Sequence, residues 1–354
     1  MNIVFNMDAQ YSTAKIGGGL VRLFNTKRYL EKEGVKVDLF DQWETQLKEY
    51  DIIHHFGATK FSLGLCSRAK DERIKLVISP IFWMDFKYAY SQAAASIRRK
   101  LKNVLIYGAF RISPGLFYPL NMLRRVLQSA DMLLPTSVAE AKQLVRFFKI
   151  PKDKMFVVHS GVERRFLDAD PDLFINEFGI SDFILVVGHF CVRKSQLDFI
   201  RAMKGIRIPI IFLGDMIPAD RWYYEQCRRE ATDNMYFLEG IDYSSSLLPS
   251  CYAAANTFVL PSTAETPGLA ALEAGLAGAK VVITTCGCTR EYFKNYATYI
   301  EPDDIHGMRA ATLENYRKKK DSKLRSHILR NHLCEHMAKR TIEAYQLVLK
   351  QNGK

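Results

Sequence analysis

Short apolar runs that fail to alternate constrain this fold more than any other feature of the chain. FILVVGHF (Phe183–Phe190) and IPIIFLG (Ile208–Gly214) carry apolar side chains at odd and even positions alike. Such strands are buried on both faces, as in a parallel sheet covered by helices on each side. MYFLEG, NTFVLPS and AKVVITT continue the set, and each leads into a helix-like segment. The first part of the chain shows the same rhythm. Asn2-Ile3-Val4-Phe5, VKVDLF from Val35, DIIHHF (Asp51–Phe56), KLVISPI (Lys75–Ile81) and ADMLLPTS (Ala130–Ser137) read as strands. Helical segments follow them: Leu20, Leu23, Phe24 and Leu30 fall near helical spacing before Gly34, and VAEAKQLVRFF follows Ser137. Strands alternating with helices imply doubly wound parallel sheets. The rhythm restarts after Val157-Val158-His159-Ser160-Gly161. The expected organisation is therefore α/β with two domains, 1–160 and 161–335. A helical tail, 336–354, is expected to pack back on the first.

A chain of 354 residues suits two cores. With 48% hydrophobic and 25% charged residues and no low-complexity tract, disordered and fibrous classes are excluded. The formal net charge of +12 favours anionic partners such as nucleotide phosphates, nucleic acid or an acidic membrane face. Seven cysteines show no framework, Cys286-Gly-Cys288 being too tight for a usual zinc knuckle, so reduced thiols in a cytoplasmic protein are expected. MNIVFNMDAQ has no signal-peptide pattern, and the apolar stretch Ile112–Leu123 is too short and proline-broken to span a bilayer. A soluble or peripheral protein is the expectation.

The chemistry concentrates in PSTAETPGLAALEAGLAGAKVV, which begins at Pro261 and holds Glu265 and Glu273 with Pro267 and Gly268 between them. Proline suits a first helical turn at best, so Glu265 is expected on a loop and Glu273 on a helix that starts near Gly268. Acids at a helix start are common for dipole reasons alone, and the spacing by itself leaves that plain explanation open. Gly17-Gly18-Gly19 lacks G-x-G-x-x-G spacing and reads as a strand-to-helix turn on its own. His332-Leu-Cys-Glu-His336 is not in the H-E-x-x-H order and reads as a surface helix face, and no G-x-S-x-G elbow supports a hydrolase.

Taken in order, Gly17-Gly18-Gly19, DIIHHFG, ADMLLPTS, VVHSGVERRF, VVGHFCVRKSQLDFIRAM, YFLEGIDYSSSLLPSCYAAANTFVLPS, the two-glutamate stretch and CGCTRE resemble the retaining, nucleotide-sugar-dependent glycosyltransferases of family four (group 1). The resemblance is strongest from about 130 to 295. It implies the GT-B fold, two Rossmann-like domains facing across a cleft, with the acceptor on the N-terminal domain and the nucleotide sugar on the C-terminal one. It implies catalytic roles for Glu265, Lys194 and His189. Glu265 would orient the sugar, Lys194 would neutralise the leaving diphosphate, and His189 stands where the family usually has arginine. Donor contacts would come from Glu273, which would hold the ribose hydroxyls, and from Arg193, Thr266, Pro267, Gly268, Leu269 and Gly188. Gly18, Gly19 and His54 would form an acceptor or phosphate loop. No metal and no cofactor are implied; the nucleoside-diphosphate sugar is a substrate.

Thr266 and Pro267 replace the usual glycine and aromatic, and proline removes one amide donor from the sugar site. Many family members carry a histidine shortly after the strand matching KLVISPI; this chain has Ser79-Pro80-Ile81-Phe82-Trp83 there, with Asp85 a weak substitute. The basic, apolar segment within 96–125 is an ordinary amphipathic helix or an interfacial one that docks on anionic lipid. The expected activity is transfer of a sugar to a hydroxyl of a glycan or lipid-linked acceptor, in the cytoplasm or on the inner face of a membrane, without nucleic acid. A sugar-nucleotide epimerase or phosphorylase on the same fold, and a catalytically degenerate or basic binding protein, remain as alternatives.

Overall fold

The computed structural model describes residues 1–7, 17–84, 101, 104, 105, 107, 108 and 118–350. They fall into two compact units. One gathers the described residues up to 161 together with the chain from Cys334, and the other spans Val162–Leu333.

The first unit runs β1 (Asn2–Met7), α1 (Gly18–Lys32), β2 (Lys36–Leu39), β3 (Ile52–Phe56), α2 (Leu63–Asp71), β4 (Lys75–Ser79), α3 (Tyr118–Ser129), β5 (Met132–Leu133) and α4 (Val138–Phe148). Its strands are all parallel in the order β2-β1-β3-β4-β5, with Ile3 opposite Ile52 and Ile53 opposite Leu76. Successive side chains of a strand point to opposite faces, and this sheet divides accordingly. Ile3, Phe5, Ile52, Phe56 and Val77 pack on one side, while Val4, Ile53, Leu76 and Ile78 pack on the other with Leu144, Phe147 and Phe148 of α4. The C-terminal helix, Cys334–Lys350, closes the first of these cores with Met337, Tyr345 and Val348 beside Leu23 and Leu30 of α1.

His54 lies in the middle of β3, 1% exposed. Its Nδ1 shares a hydrogen bond of 2.6 Å with the Tyr345 hydroxyl and its Nε2 one of 2.9 Å with Ser79 Oγ. Burial, with smaller contributions from the Arg22 and His55 charges, holds its pKa well below that of a free imidazole, so the ring is neutral. Both ring nitrogens of His54, expected from the resemblance to belong to an acceptor or phosphate loop, are engaged by Tyr345 and Ser79. Glu140 is a second buried polar anchor, accepting from Thr136 N and Oγ1 at 2.6 and 2.7 Å and from Phe82 N at 2.6 Å. It ties the segments after β4 and β5 to the start of α4. Asp85 and most of the basic stretch 96–125 lie outside the described residues.

The second unit runs α5 (Asp172–Phe178), β6 (Ile184–Val187), α6 (Gln196–Ala202), β7 (Ile210–Leu213), α7 (Arg221–Glu230), β8 (Met235–Leu238), α8 (Leu247–Ala254), β9 (Thr257–Leu260), α9 (Leu269–Ala277), β10 (Lys280–Thr284), α10 (Thr289–Phe293), β11 (Thr298–Ile300), α11 (Ile305–Arg317) and α12 (Lys323–Asn331). Its six parallel strands follow the order β11-β10-β9-β6-β7-β8. Read from the other edge, this is the third, second, first, fourth, fifth and sixth strand of the unit. Chain direction across the sheet therefore reverses between β6 and β9, and a crevice opens at the carboxyl ends of strands at such a point.

The helical tail is interrupted. His332 caps α12 and accepts a hydrogen bond of 2.8 Å from Val162 N, and the next helix starts at Cys334. His332 is 5% exposed, so the two histidines sit on either side of a break and His332 is buried, not on a surface helix face. All seven cysteines are free. Among the described residues no helix is long and apolar enough to cross a membrane.

Candidate functional site

Two loops meet at the point of reversal, one leaving β6 and the other leaving β9. The β6 loop begins at Gly188, passes His189 and forms a short turn over Val192–Lys194 before α6. The β9 loop carries Thr263 to Gly268 and ends at α9, whose N-cap is Gly268. Thr263 N donates to Arg193 O at 2.8 Å, which fastens the second loop to the first. On its other side the β9 loop is laddered to the segment after β10: Glu265 N donates to Cys286 O at 3.2 Å, and Cys288 N donates to Glu265 O at 3.0 Å. Glu265 is thus fixed by its backbone in both directions.

Its side chain is buried among cations. Lys194 Nζ donates to Glu265 Oε1 at 2.6 Å, and Arg193 Nη1 lies 3.4 Å from the same oxygen while donating to Ala264 O at 3.1 Å. Burial alone pushes the carboxyl up, but the charges of Lys194 and then Arg193 outweigh it and hold Glu265 below the usual carboxylate range. The site therefore keeps one buried anion between two cations. Gly188 supplies the passage for Lys194: a Cβ there would lie 3.2 Å from Lys194 Cε. His189 follows directly, half-buried, and its carbonyl accepts 2.9 Å from Gln196 Nε2.

Glu273 lies one helical turn into α9, 5% exposed. Its Oε2 accepts from the Tyr252 hydroxyl of α8 at 2.9 Å. Burial raises its pKa above the usual value of 4.5, opposed by the Tyr252 hydroxyl, the Arg165 charge and the Tyr243 hydroxyl. Arg165 donates to the carbonyls of Tyr243 and Ser245 and to Glu163 Oε2, and its guanidinium sits 4.8 Å from the Tyr243 ring centroid. That arrangement fixes the segment after β8 beside Glu273. The two glutamates thus have opposite environments: one held charged by cations, the other burdened by burial.

An acceptor carboxylate with a raised pKa gives a testable asymmetry. If Glu273 binds hydroxyls in its ionised form, log kcat/KM for the ligand it holds should fall with decreasing pH through a pKa above 4.5. Glu273→Gln should remove that acid limb and raise KM by about tenfold, the worth of one charge-assisted hydrogen bond. An unchanged acid limb in the variant would exclude Glu273 as its origin.

Of the residues expected from the sequence, Glu265, Lys194, Arg193, Gly188, His189, Thr266, Pro267, Gly268 and Leu269 lie on the β6 loop, the β9 loop or the first residue of α9, and Glu273 lies on α9. The Thr266–Pro267 peptide is cis. Gly18 and Gly19 lie in the first turn of α1 in the other unit, with Gly17 as the N-cap. Tyr252, Tyr243, Arg165 and Gln196 were not legible as site residues. All four stand within the motifs that carry the resemblance, yet nothing in their spacing indicates which groups they hold. Among the described residues no group of three or more His, Cys, Asp or Glu is gathered as a metal site.

Comparison with known proteins bears on the fold and on the second unit. Residues 181–317 match the family described as Glycosyl transferases group 1. The chain is 25% identical over 244 residues to an uncharacterized glycosyltransferase of Methanocaldococcus jannaschii, covering 63% of this chain and 61% of that protein. It is 24% identical over 209 residues to the O-antigen chain mannosyltransferase B of Escherichia coli, covering 56% and 55% respectively. The chain thus spans less than two thirds of the length of either curated relative. Among solved structures, the sucrose-phosphate synthase of Thermosynechococcus elongatus superposes with a TM-score of 0.74 at 16% identity, over 99% of this chain and all of that one. The Anabaena HepE protein in complex with UDP and glucose gives 0.69 at 16% identity, over 98% and 99%. These likenesses show the fold, which is GT-B with two Rossmann-like domains.

Proposed function

We propose, from the premise that the C-terminal unit is a group 1 glycosyltransferase domain on a GT-B fold, that this protein transfers a sugar from a nucleoside-diphosphate sugar to a hydroxyl of a glycan or glycolipid acceptor, with retention and without a metal. The observation that carries the proposal is the buried ion pair of Lys194 with Glu265, which joins the loops at the carboxyl ends of β6 and β9, with Glu273 buried on the helix that follows β9. Each has a task suited to its environment. Lys194, seconded by Arg193, offers a positive charge to a departing diphosphate and stabilises the anion that develops there. Glu265, held ionised, accepts hydrogen bonds from sugar hydroxyls and faces the positive charge that grows at the anomeric carbon. Glu273 accepts from the ribose hydroxyls.

The start of α9 adds backbone donors. Leu269 N and its neighbours lie at a helix N-terminus, where amides and the helix dipole favour sugar or phosphate oxygens. Pro267 contributes no amide, so the sugar is held by one donor fewer than the family pattern supplies. His189 stands at the position of the usual arginine, and Arg193 provides the second cation in its stead. The same class of donor occurs in relatives of this fold: HepE structures hold UDP and UDP-glucose. A glycan acceptor is supported by the similarity to a mannosyltransferase of O-antigen chains. The acceptor would engage the N-terminal unit through the backbone of Gly18 and Gly19 at the start of α1. Docking on an anionic membrane through residues 96–125 belongs to the same proposal and rests on the sequence.

A thermal-shift panel tests the donor class. At 100 times its Kd a nucleotide that binds only the folded protein stabilises it by about 2.7 kcal/mol. One nucleoside diphosphate and its sugar conjugates should raise Tm by several degrees, and Glu273→Ala, at the same ligand concentration, should cut the response to about half or less. No shift with any uridine, guanosine, adenosine or thymidine diphosphate, alone or sugar-linked, would exclude the function.

A further inference from the structure

Glu265 and the diphosphate of a donor compete for the same ammonium. Lys194 Nζ is bonded to Glu265 Oε1 at 2.6 Å inside a site where Glu265 is 7% exposed. We infer that Glu265 discriminates the sugar-bearing donor from the bare nucleoside diphosphate by withdrawing Lys194 from the diphosphate whenever no sugar covers the carboxylate. The inference rests on the proposed function and adds to it a device for expelling product.

The structure determines which partner moves. Glu265 is pinned by the Cys286 and Cys288 backbone, and Arg193 Nη1 approaches the same carboxylate oxygen. Lys194 reaches it on a four-carbon stem that passes over Gly188, where no Cβ obstructs a swing. A buried carboxylate needs hydrogen-bond or charge partners. With a sugar bound, its hydroxyls donate to Glu265 and Lys194 is free to serve the diphosphate. Once the sugar has left with the acceptor, the carboxylate regains Lys194 only at the expense of the diphosphate. Two anions then compete for Lys194, with Arg193 alone left to the one that loses it, and the mobile anion dissociates. Repulsion of the unwanted ligand is an ordinary route to specificity.

Titration calorimetry decides the matter. UDP, GDP and ADP are titrated into the full-length wild type, and the tightest of them is carried forward with its sugar conjugate. Glu265→Gln keeps the shape of the side chain and removes its charge. It should bind the bare diphosphate about tenfold more tightly than wild type, about 1.4 kcal/mol, and should bind the sugar conjugate no more tightly. In Lys194→Met/Glu265→Gln the gain should vanish, because no ammonium remains to be released. Should the neutral amide fail to fold, Glu265→Asp lengthens the pair while keeping the charge and should show part of the gain. Unchanged or weaker diphosphate binding in the folded Glu265 variant overturns the inference, as does a gain that survives the loss of Lys194. If wild type binds no nucleotide, the proposed function falls as well; if it binds one and the variant gains nothing, the inference alone falls.

Discussion

Lys194→Ala is expected to lower kcat by about 10²–10³-fold while changing donor KM severalfold at most. Lys194 reaches the end of the site on a stem that is 15% exposed, and its charge is shielded there from water. Removing one such preorganised group from a developing anion costs about 3–4 kcal/mol of transition-state stabilisation. Ground-state binding should suffer less, since in the proposed site Glu273 would hold the ribose and the helix start would offer further donors. A second consequence follows from the same contact. Without Lys194 the chief counterweight to the burial of Glu265 is gone, so the Glu265 carboxyl should titrate at higher pH and the acid limb of kcat should move upward. Lys194→Arg should restore part of the rate, because charge is retained but a planar fork cannot follow the same path over Gly188. Equal effects on kcat and KM with an unmoved pH profile would argue that Lys194 merely supports the loop.

Gly287→Ala should be the most damaging single methyl group in the second unit. Gly287 has a φ of +104°, and a Cβ on it would lie 2.0 Å from the carbonyl oxygen of Glu265. The ladder that carries Glu265 would have to open, with loss of the Cys288 N to Glu265 O bond. Strain and overpacking together should cost on the order of 3 kcal/mol. Displacement of the carboxylate by about 1 Å should reduce kcat roughly 100-fold. Gly278→Ala separates the two causes. That residue has a comparable φ of +97° but open space around it, so its variant should lose stability through strain and keep its activity. Matching activity losses in both variants would mean that backbone strain, not the contact with Glu265, sets the effect.

Much of the fold was legible because buried parallel strands declare themselves as unbroken apolar runs. FILVV, IPIIFL and AKVVIT became β6, β7 and β10 with little adjustment. The sixth strand of the second unit was not legible. Thr298–Ile300 is three residues long and, among the described residues, pairs only with β10, so it needs no apolar run. The break at His332-Leu333 was hidden as well, because the carbonyl of His332 is satisfied by Val162, far back in the chain.

The candidate site divides in the same way. Glu265, Glu273 and Lys194 were legible through the motifs they stand in, but their contact was not. Lys194 and Glu265 are 71 residues apart and meet only because β6 and β9 are neighbours in the sheet. Tyr252 stood inside a motif but gave no signal of a site role, since a tyrosine in SCYAAAN reads as core, and it becomes a partner of Glu273 only when α8 packs on α9. The surroundings of His54 were hidden for a similar reason. A polar residue in a strand suggests a site, but its partner Tyr345 lies 291 residues away on the last helix, where no local pattern could reveal it.

The proposed donor site lies at the carboxyl ends of β6 and β9. A crystal structure of the protein with the nucleoside diphosphate that stabilises it most tests this directly. Ribose hydroxyls are expected within hydrogen-bond distance of Glu273, the diphosphate beside Lys194 and Arg193, and its oxygens at the start of α9. A nucleotide seated anywhere else, with Lys194 and Glu273 untouched, would contradict it.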